Sequence, residues 1–401
     1  MKRRIFGIVI SLLIINLVGC NTVKDVSSVS KAPVSYDYDY YDYDPGEEDA
    51  EIISDTSSGE SVSQGTSASS NTGGSTETQG YDPSSYNVNT DWFMNAKYGI
   101  FVHYLYNVQN NSENISGLSQ GKQTSWNECV NDFNVDTFAK NMSDAGAAYV
   151  MFSILQSTRY MIAPNETFNK YTGYKTGEAC STRDLIADLI VALDKYKIKL
   201  MLYYTADGPS NDGDAAQKLG VSLDTTPEFR RKWYEIGKEY SLRYKDKVHG
   251  WWIDGAHLGG YNDETLAEFA NALKAGNPKS IVAFNKGGAE GMVRYTSGAD
   301  DYIAGESNFL GTEKAFLTDI PASRFINPDF KINRQQWHAL SYLGSNWGMT
   351  DIKYDLREFV KYLKTVNSRG GVISMDIGVY RDGSVAPRQM DFLKEVKAQI
   401  R

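Results

Sequence analysis

Cysteine, histidine and positive charge are scarce in this 401-residue chain. Each scarcity closes a class of function. Three cysteines (Cys20, Cys129, Cys180) cannot build a disulfide framework or a Cys-rich zinc or iron–sulfur site. The four histidines (His103, His249, His257, His338) are scattered without HExxH-type spacing, so no metal site is expected. Asp and Glu outnumber Lys and Arg by 50 to 41, a net charge of -9, which argues against a nucleic-acid partner that needs a basic surface. No Gly-x-Gly-x-x-Gly motif follows the first strand-like run, so dinucleotide binding has no support and no cofactor is expected. Hydrophobic residues at 41% and aromatics at 12% suffice for a large core, as one large domain with accessory segments or two small domains.

The charge is unevenly spread. Residues 21–88 hold Lys24 and Lys31 against thirteen Asp and Glu, so the chain beyond residue 88 is close to neutral. A neutral domain suits an uncharged substrate and offers no steering of an ionic one. At the start, Lys2-Arg3-Arg4 precedes an apolar run from Ile5 to Val18, shorter than a membrane span of about 20 residues. This reads as a secretory signal over residues 1–20. Leu17-Val18-Gly19-Cys20 resembles a bacterial lipobox, which implies lipidation of Cys20 and anchoring to the outside of the cell membrane. The alternative is a plain signal peptide with a chance cysteine. Residues 21–88 combine a Tyr-Asp run at 36–44 with Ser, Thr and Gly. Like charges and few aliphatic residues predict a disordered tether. The Tyr-Asp run reads as a solvated spacer, with a docking motif or cation site as the alternatives.

From residue 89 to 401 the pattern changes. Strand-like runs recur at Tyr98–Tyr106, Ala148–Leu155, Lys199–Ala206, Val248–Asp254, Ser280–Asn285, Asp301–Glu306, near Trp337–Leu343, and at Gly371–Ile377. Amphipathic stretches such as Val135–Ala145, Thr182–Tyr196, Pro227–Tyr244, Asp263–Ala275, Asp355–Thr365 and Pro387–Ile400 lie between or after them. Alternation of this kind predicts a parallel sheet, and eight units predict an α/β fold of the (β/α)8 TIM-barrel type. A doubly wound sheet is the competing fold.

Barrel chemistry sits at the C-terminal ends of the strands. Polar residues there include His103, Gln156, Tyr204, Asp207, Asp254, Asn285, Glu306, His338 and Asp376. Such a set suits a pocket for a hydroxyl-rich ligand, and loop capping is the alternative for any one of them. Trp337 and Trp347 are candidates to stack on a sugar face or to pack in the core. Two carboxylates end their strands, Asp254 after Trp251-Trp252-Ile253 and Glu306 after Tyr302-Ile303-Ala304-Gly305. A retaining glycosidase needs such a pair, although many barrels carry carboxylates on these strands.

Ordered motifs sharpen the reading. They are Trp92-Phe93, Ala96 through His103, Phe133-Asn134-Val135-Asp136, Ala145 through Val150, Arg183-Asp184-Leu185, Leu202-Tyr203-Tyr204, Trp252-Ile253-Asp254-Gly255, Asn346-Trp347-Gly348, Gly370-Gly371, Asp376-Ile377-Gly378 and Asp382-Gly383-Ser384. In this order they resemble glycoside hydrolase family 29, the α-L-fucosidases. The resemblance implies a TIM-like barrel with Asp254 as nucleophile and Glu306 as acid/base. The strand-end positions make His103, Gln156, Tyr204, Asn285 and His338 the expected substrate-binding residues, with Trp337 and Trp347 as the expected stacking residues. The chain departs from the family at Gln156-Ser157, where a His pair usually contacts the sugar. It departs again at Tyr104-Leu105, usually Trp-Gly, and at His338, often Glu.

The expected activity is a retaining exo-glycosidase acting on terminal sugars of extracellular glycans. The partners expected are therefore a carbohydrate and, through the lipid, a membrane. A glycosidase of altered specificity and a non-catalytic glycan-binding lipoprotein are the rival readings. A second carboxyl beside Asp254 favours an enzyme.

Overall fold

The computed structural model describes residues 87–287, 297–311, 317–318, 320–326 and 335–400. Cys20 and the acidic tether up to Tyr86 lie outside the described residues. Seven strands form one parallel sheet: β1 (Tyr98–Val102), β2 (Tyr149–Ser153), β3 (Lys199–Thr205), β4 (Val248–Asp254), β5 (Ile281–Phe284), β6 (His338–Tyr342) and β7 (Val372–Asp376). Their spatial order is β6-β7-β1-β2-β3-β4-β5, a curled half-barrel. The register aligns the strand ends, with Phe101 and Tyr342 opposite Asp376, and Thr205 opposite Asp254.

The principal helices are α1 (Asp91–Ala96), α2 (Val135–Asp144), α3 (Leu185–Asp194), α4 (Pro227–Tyr244), α5 (Asp263–Leu273), α6 (Leu356–Ser368) and α7 (Pro387–Ile400). Their starts are written into the sequence. Asn134, Asp184, Thr226, Asn262 and Asp355 each accept a backbone N–H from the first turn of the helix that follows, typically worth about 1 kcal/mol.

Side chains alternate along each strand, so the sheet has two apolar faces. Ile100, Val150, Phe152, Leu202, Tyr204, Trp251, Ile253, Val282, Phe284 and Met375 pack outward against the helices. Phe101, Tyr149, Met151, Met201, Tyr203, Trp252, Ile281 and Ala283 fill the inside of the curl. Helix α1 closes the N-terminal end of this interior. Its Phe93 is fully buried, with its ring 5.0 Å from Tyr149, 4.9 Å from Tyr302 and 5.3 Å from His338.

The sixth strand-like run corrects the expected count of eight. Asp301–Glu306 makes two isolated bridges, Tyr302 to Gln336 and Glu306 to Leu340, rather than a strand. The amides of Ile303 and Ser307 donate to Gln336 and Leu340, and Leu340 donates back to Gly305. Toward β5 the backbone bond runs from Asp301 N–H to Val282 O at 2.8 Å. Beyond it side chains replace the ladder. Asp301 Oδ2 accepts Val282 N–H at 2.8 Å and Asp300 Oδ1 accepts Phe284 N–H at 2.5 Å. Trp252 Nε1 reaches across to donate to Ala304 O, and the Tyr302 hydroxyl to Trp251 O.

Gly305 permits the turn that delivers Glu306. Its φ is +66°, and a Cβ there would lie 2.1 Å from the His338 carbonyl oxygen. The left-handed backbone alone costs a non-glycine residue about 1–2 kcal/mol. Gly305→Ala is therefore expected to destabilise the domain by more than about 2 kcal/mol and to displace Glu306. A urea unfolding midpoint like that of the native protein would refute this.

Candidate active site

Alternation aims Asp254 inward, on the side of Trp252, at the C-terminal end of β4. Three donors converge on its carboxylate. The Tyr203 hydroxyl donates to Oδ2 at 2.8 Å, and Gly255 N–H and Asn285 Nδ2 donate to Oδ1 at 2.9 and 3.0 Å. Burial, then the neighbouring Asp254 charge, holds the Tyr203 phenol well above its ordinary value, so it keeps its proton.

Asn285 Nδ2 also donates to Glu306 Oε2. Two oxygens bonded to one amide nitrogen lie no more than about 6 Å apart, the sum of two ordinary hydrogen bonds. Burial pushes the Glu306 carboxyl up to about 7, and repulsion from Asp254 adds to it. The Asn285 bond and the nearby His103 oppose the shift. One carboxyl is thus surrounded by donors while its neighbour holds a proton near neutral pH.

His103, just beyond β1, is 8% exposed. Its Nδ1 bonds Asp376 Oδ1 at 2.9 Å, and Asp376 Oδ2 accepts Gly348 N–H at 2.8 Å. Asp376 thus orients the His103 ring. Trp347 is half-buried on the loop after β6, edge-on to His103 at 5.4 Å and to Tyr342 at 4.9 Å. Gln156 is half-buried on the loop after β2. Its neighbour Ser157, at φ +50°, donates its hydroxyl to Asp207 Oδ2 at 3.0 Å, and Ser210 donates to the same oxygen. Burial raises Asp207, which also feels the Asp254 charge. Among the described residues no group of three or more His, Cys, Asp or Glu is placed to hold a metal ion.

Three expected substrate contacts are corrected. Tyr204 faces outward, stacked on Trp233 at 4.7 Å with its hydroxyl on the Trp233 carbonyl. Tyr203 takes the place beside Asp254. Counting by twos finds it, because Tyr203 pairs with Trp252 and shares its face. His338 and Trp337 stand at the wrong end. Strand β6 starts at His338, so its C-terminal end is Tyr342. His338 is fully buried beside Phe93, Nδ1 donating to Ile303 O and Nε2 bonded to Ser374 Oγ. Burial lowers it to about 4, so it is neutral. Trp337 is 5% exposed and packs in the outer core.

The family model for alpha-L-fucosidase matches residues 68–400. The chain belongs to the alpha-L-fucosidase family. It is therefore a glycoside hydrolase by family and fold. A fucosidase from Bacteroides thetaiotaomicron is 19% identical, with a TM-score of 0.54 over 81% of this chain and 75% of its own. A bacterial fucosidase with an iminocyclitol inhibitor is also 19% identical, at 0.55 over 81% and 76%. An endo-fucoidan hydrolase of glycoside hydrolase family 107 is 13% identical, at 0.57 over 77% and 92%. No curated protein matches the chain.

With Glu306 as the general acid proposed below, kcat/KM is expected to fall as pH rises through about 7, where its carboxyl loses its proton. Glu306→Gln should abolish that alkaline limb. A limb that persists in Glu306→Gln assigns it to another group.

Proposed function

We propose that the protein is a retaining exo-glycosidase of α-L-fucosidase type, releasing a terminal sugar from extracellular glycans. The single observation carrying this reading is the Asn285 amide bonded to both carboxyls. Retaining enzymes hold the pair about 5–5.5 Å apart, whereas inverting enzymes leave about 6.5–9.5 Å for a water. The shared amide favours the shorter spacing. It also favours an enzyme over a non-catalytic glycan binder.

In the first step an Asp254 oxygen attacks the anomeric carbon, and the bond to the leaving oxygen breaks. Glu306 gives that oxygen its proton. The glycosyl ester removes the Asp254 charge, so Glu306 loses the repulsion that raised it and becomes a better base. Glu306 then takes a proton from water as the water attacks the anomeric carbon, and Asp254 leaves. Two inversions give net retention. His103, fixed by Asp376, is positioned to bind a sugar hydroxyl, and Trp347 offers an aromatic edge.

A second reading, altered sugar specificity, is favoured by one feature. Where the family usually carries a His pair, Ser157 is bonded to Asp207 instead. The Asp301–Glu306 segment is proposed as the eighth stave of a full (β/α)8 barrel, lying between β5 and β6. The lipobox-like Leu17–Cys20 supports a surface lipoprotein on an acidic tether. Cys20→Ala should then move the protein from the membrane fraction or stall its processing. Unchanged partition would remove that proposal.

The catalytic proposal is tested with aryl glycosides, α-L-fucoside among them. Asp254→Gly should lose turnover, and azide should rescue it to give a glycosyl azide of inverted configuration. Native turnover should give the retained anomer by NMR. An inverted native product, or an active Asp254→Gly without azide, overturns the mechanism.

A further inference from the structure

We infer that Asn285 is a positioning residue that sets the spacing of the two carboxyls and the proton affinity of the acid, rather than a sugar ligand. This rests on the reading of Asp254 and Glu306 as the catalytic pair. A carboxamide nitrogen carries two hydrogens. One is given to Asp254 Oδ1 and the other to Glu306 Oε2, so the nitrogen has none left for a substrate hydroxyl.

The backbone of Asn285 is fastened to the nucleophile's own strand. Its N–H donates to Ile253 O at 2.7 Å, and its carbonyl accepts Ala256 N–H at 2.8 Å. These bonds bracket Asp254 in sequence. The side chain is 4% exposed, so its amide has little freedom. Glu306 needs this support. It follows the left-handed Gly305 on a segment held by isolated bridges rather than by a regular ladder. The Asn285 amide supplies a fixed point on the β5 side that the backbone does not.

The bond also tunes the acid. Donation to a carboxyl favours its ionised form, and here it opposes the burial and repulsion that raise Glu306. Without it the acid would hold its proton more tightly. That would help protonation of the leaving group and hinder ionisation for the second step.

The test compares native protein with Asn285→Ala and Asn285→Asp in three measurements. Infrared titration of the buried carboxyl band, with Glu306→Gln to identify it, needs no turnover. In Asn285→Ala its midpoint should rise by about one pH unit, and in Asn285→Asp by more, because a third carboxyl faces the pair. With an active glycoside, kcat should fall about 10–100-fold in Asn285→Ala while KM stays within about twofold. The alkaline limb of kcat/KM should move up with the infrared midpoint. A raised KM with unchanged kcat and midpoint would make Asn285 a sugar ligand and overturn the inference. An unmoved midpoint in a folded variant, checked by its unfolding transition, would overturn it as well. If the native protein cleaves no glycoside, the proposed function fails, and the infrared midpoint still decides the role of Asn285.

Discussion

Two carboxyl groups within reach of one amide, at a half-buried site, repel each other. The architecture around Asp254 and Glu306 is built on that conflict. Ionising both in a low dielectric is costly, so the group with fewer donors keeps its proton. Asp254 receives three hydrogen bonds. Burial leaves Glu306 raised to about 7. The same proximity that forces the difference suits one group to attack and the other to donate a proton. On the proposed mechanism, esterification of Asp254 removes its charge and the conflict with it, which makes Glu306 a better base for the second step.

Holding that conflict requires a rigid floor. Phe101, Tyr203 and Trp252 lie directly below the pair, with Tyr203 stacked on Trp252 at 5.4 Å. Phe101 meets both edge-on. These aromatics fill the interior that a wider curl would leave to water. Trp252 also bonds the Ala304 carbonyl. The floor therefore holds the segment that carries Glu306, as well as the strand that carries Asp254. The gap beside β5 is bridged by the carboxylates of Asp300 and Asp301 accepting strand amides. Asp300 is fully buried and pushed up to about 7 by that burial, so the segment is held by a group near its own titration point.

The strands with a run of apolar residues and a clear polar stop were legible in the sequence, as were helices with a Thr-Pro or Asn start. Asp254 and Asn285, which the structure joins by a hydrogen bond, each end or immediately follow such a run. Tyr203 and Tyr204 adjoin, and only the two-residue period counted from Trp252 shows that Tyr203 faces Asp254 while Tyr204 packs outward. His338 and Trp337 differ for another reason. An apolar stretch shows where a strand lies before it shows where the strand begins, and one end of a barrel strand is chemistry while the other is packing. The run at Asp301–Glu306 looks like a strand in sequence, and only the three-dimensional neighbours reveal that the carboxylates of Asp300 and Asp301 cap amides of β5 in place of a regular ladder.

The division of labour around the pocket bears on specificity. The carboxyl pair is held by β3, β4, β5 and the 301–306 segment, through Tyr203, Asn285 and the Ala206 N–H bonded to the Asp254 carbonyl. The opposite wall comes from loops after β1, β2 and β3, where His103, Gln156, Ser157 and Asp207 stand. Ser157 accepts a left-handed backbone, at φ +50°, in a conformation that non-glycine residues seldom hold without compensation. Its bond to Asp207 is the compensation in view. Asp207 in turn lies against Gly255, whose Cβ, were there one, would sit 3.2 Å from the carboxylate. A substitution among these loops can reach the backbone next to Asp254 through Asp207 or through the Ala206 N–H that donates to the Asp254 carbonyl at 2.6 Å. Gly255, at φ +72°, has no side chain to transmit it further. Gly255 and Asn285 therefore hold opposite sides of Asp254, one meeting the loop after β3 through Asp207 and the other bonding both carboxyls from the end of β5.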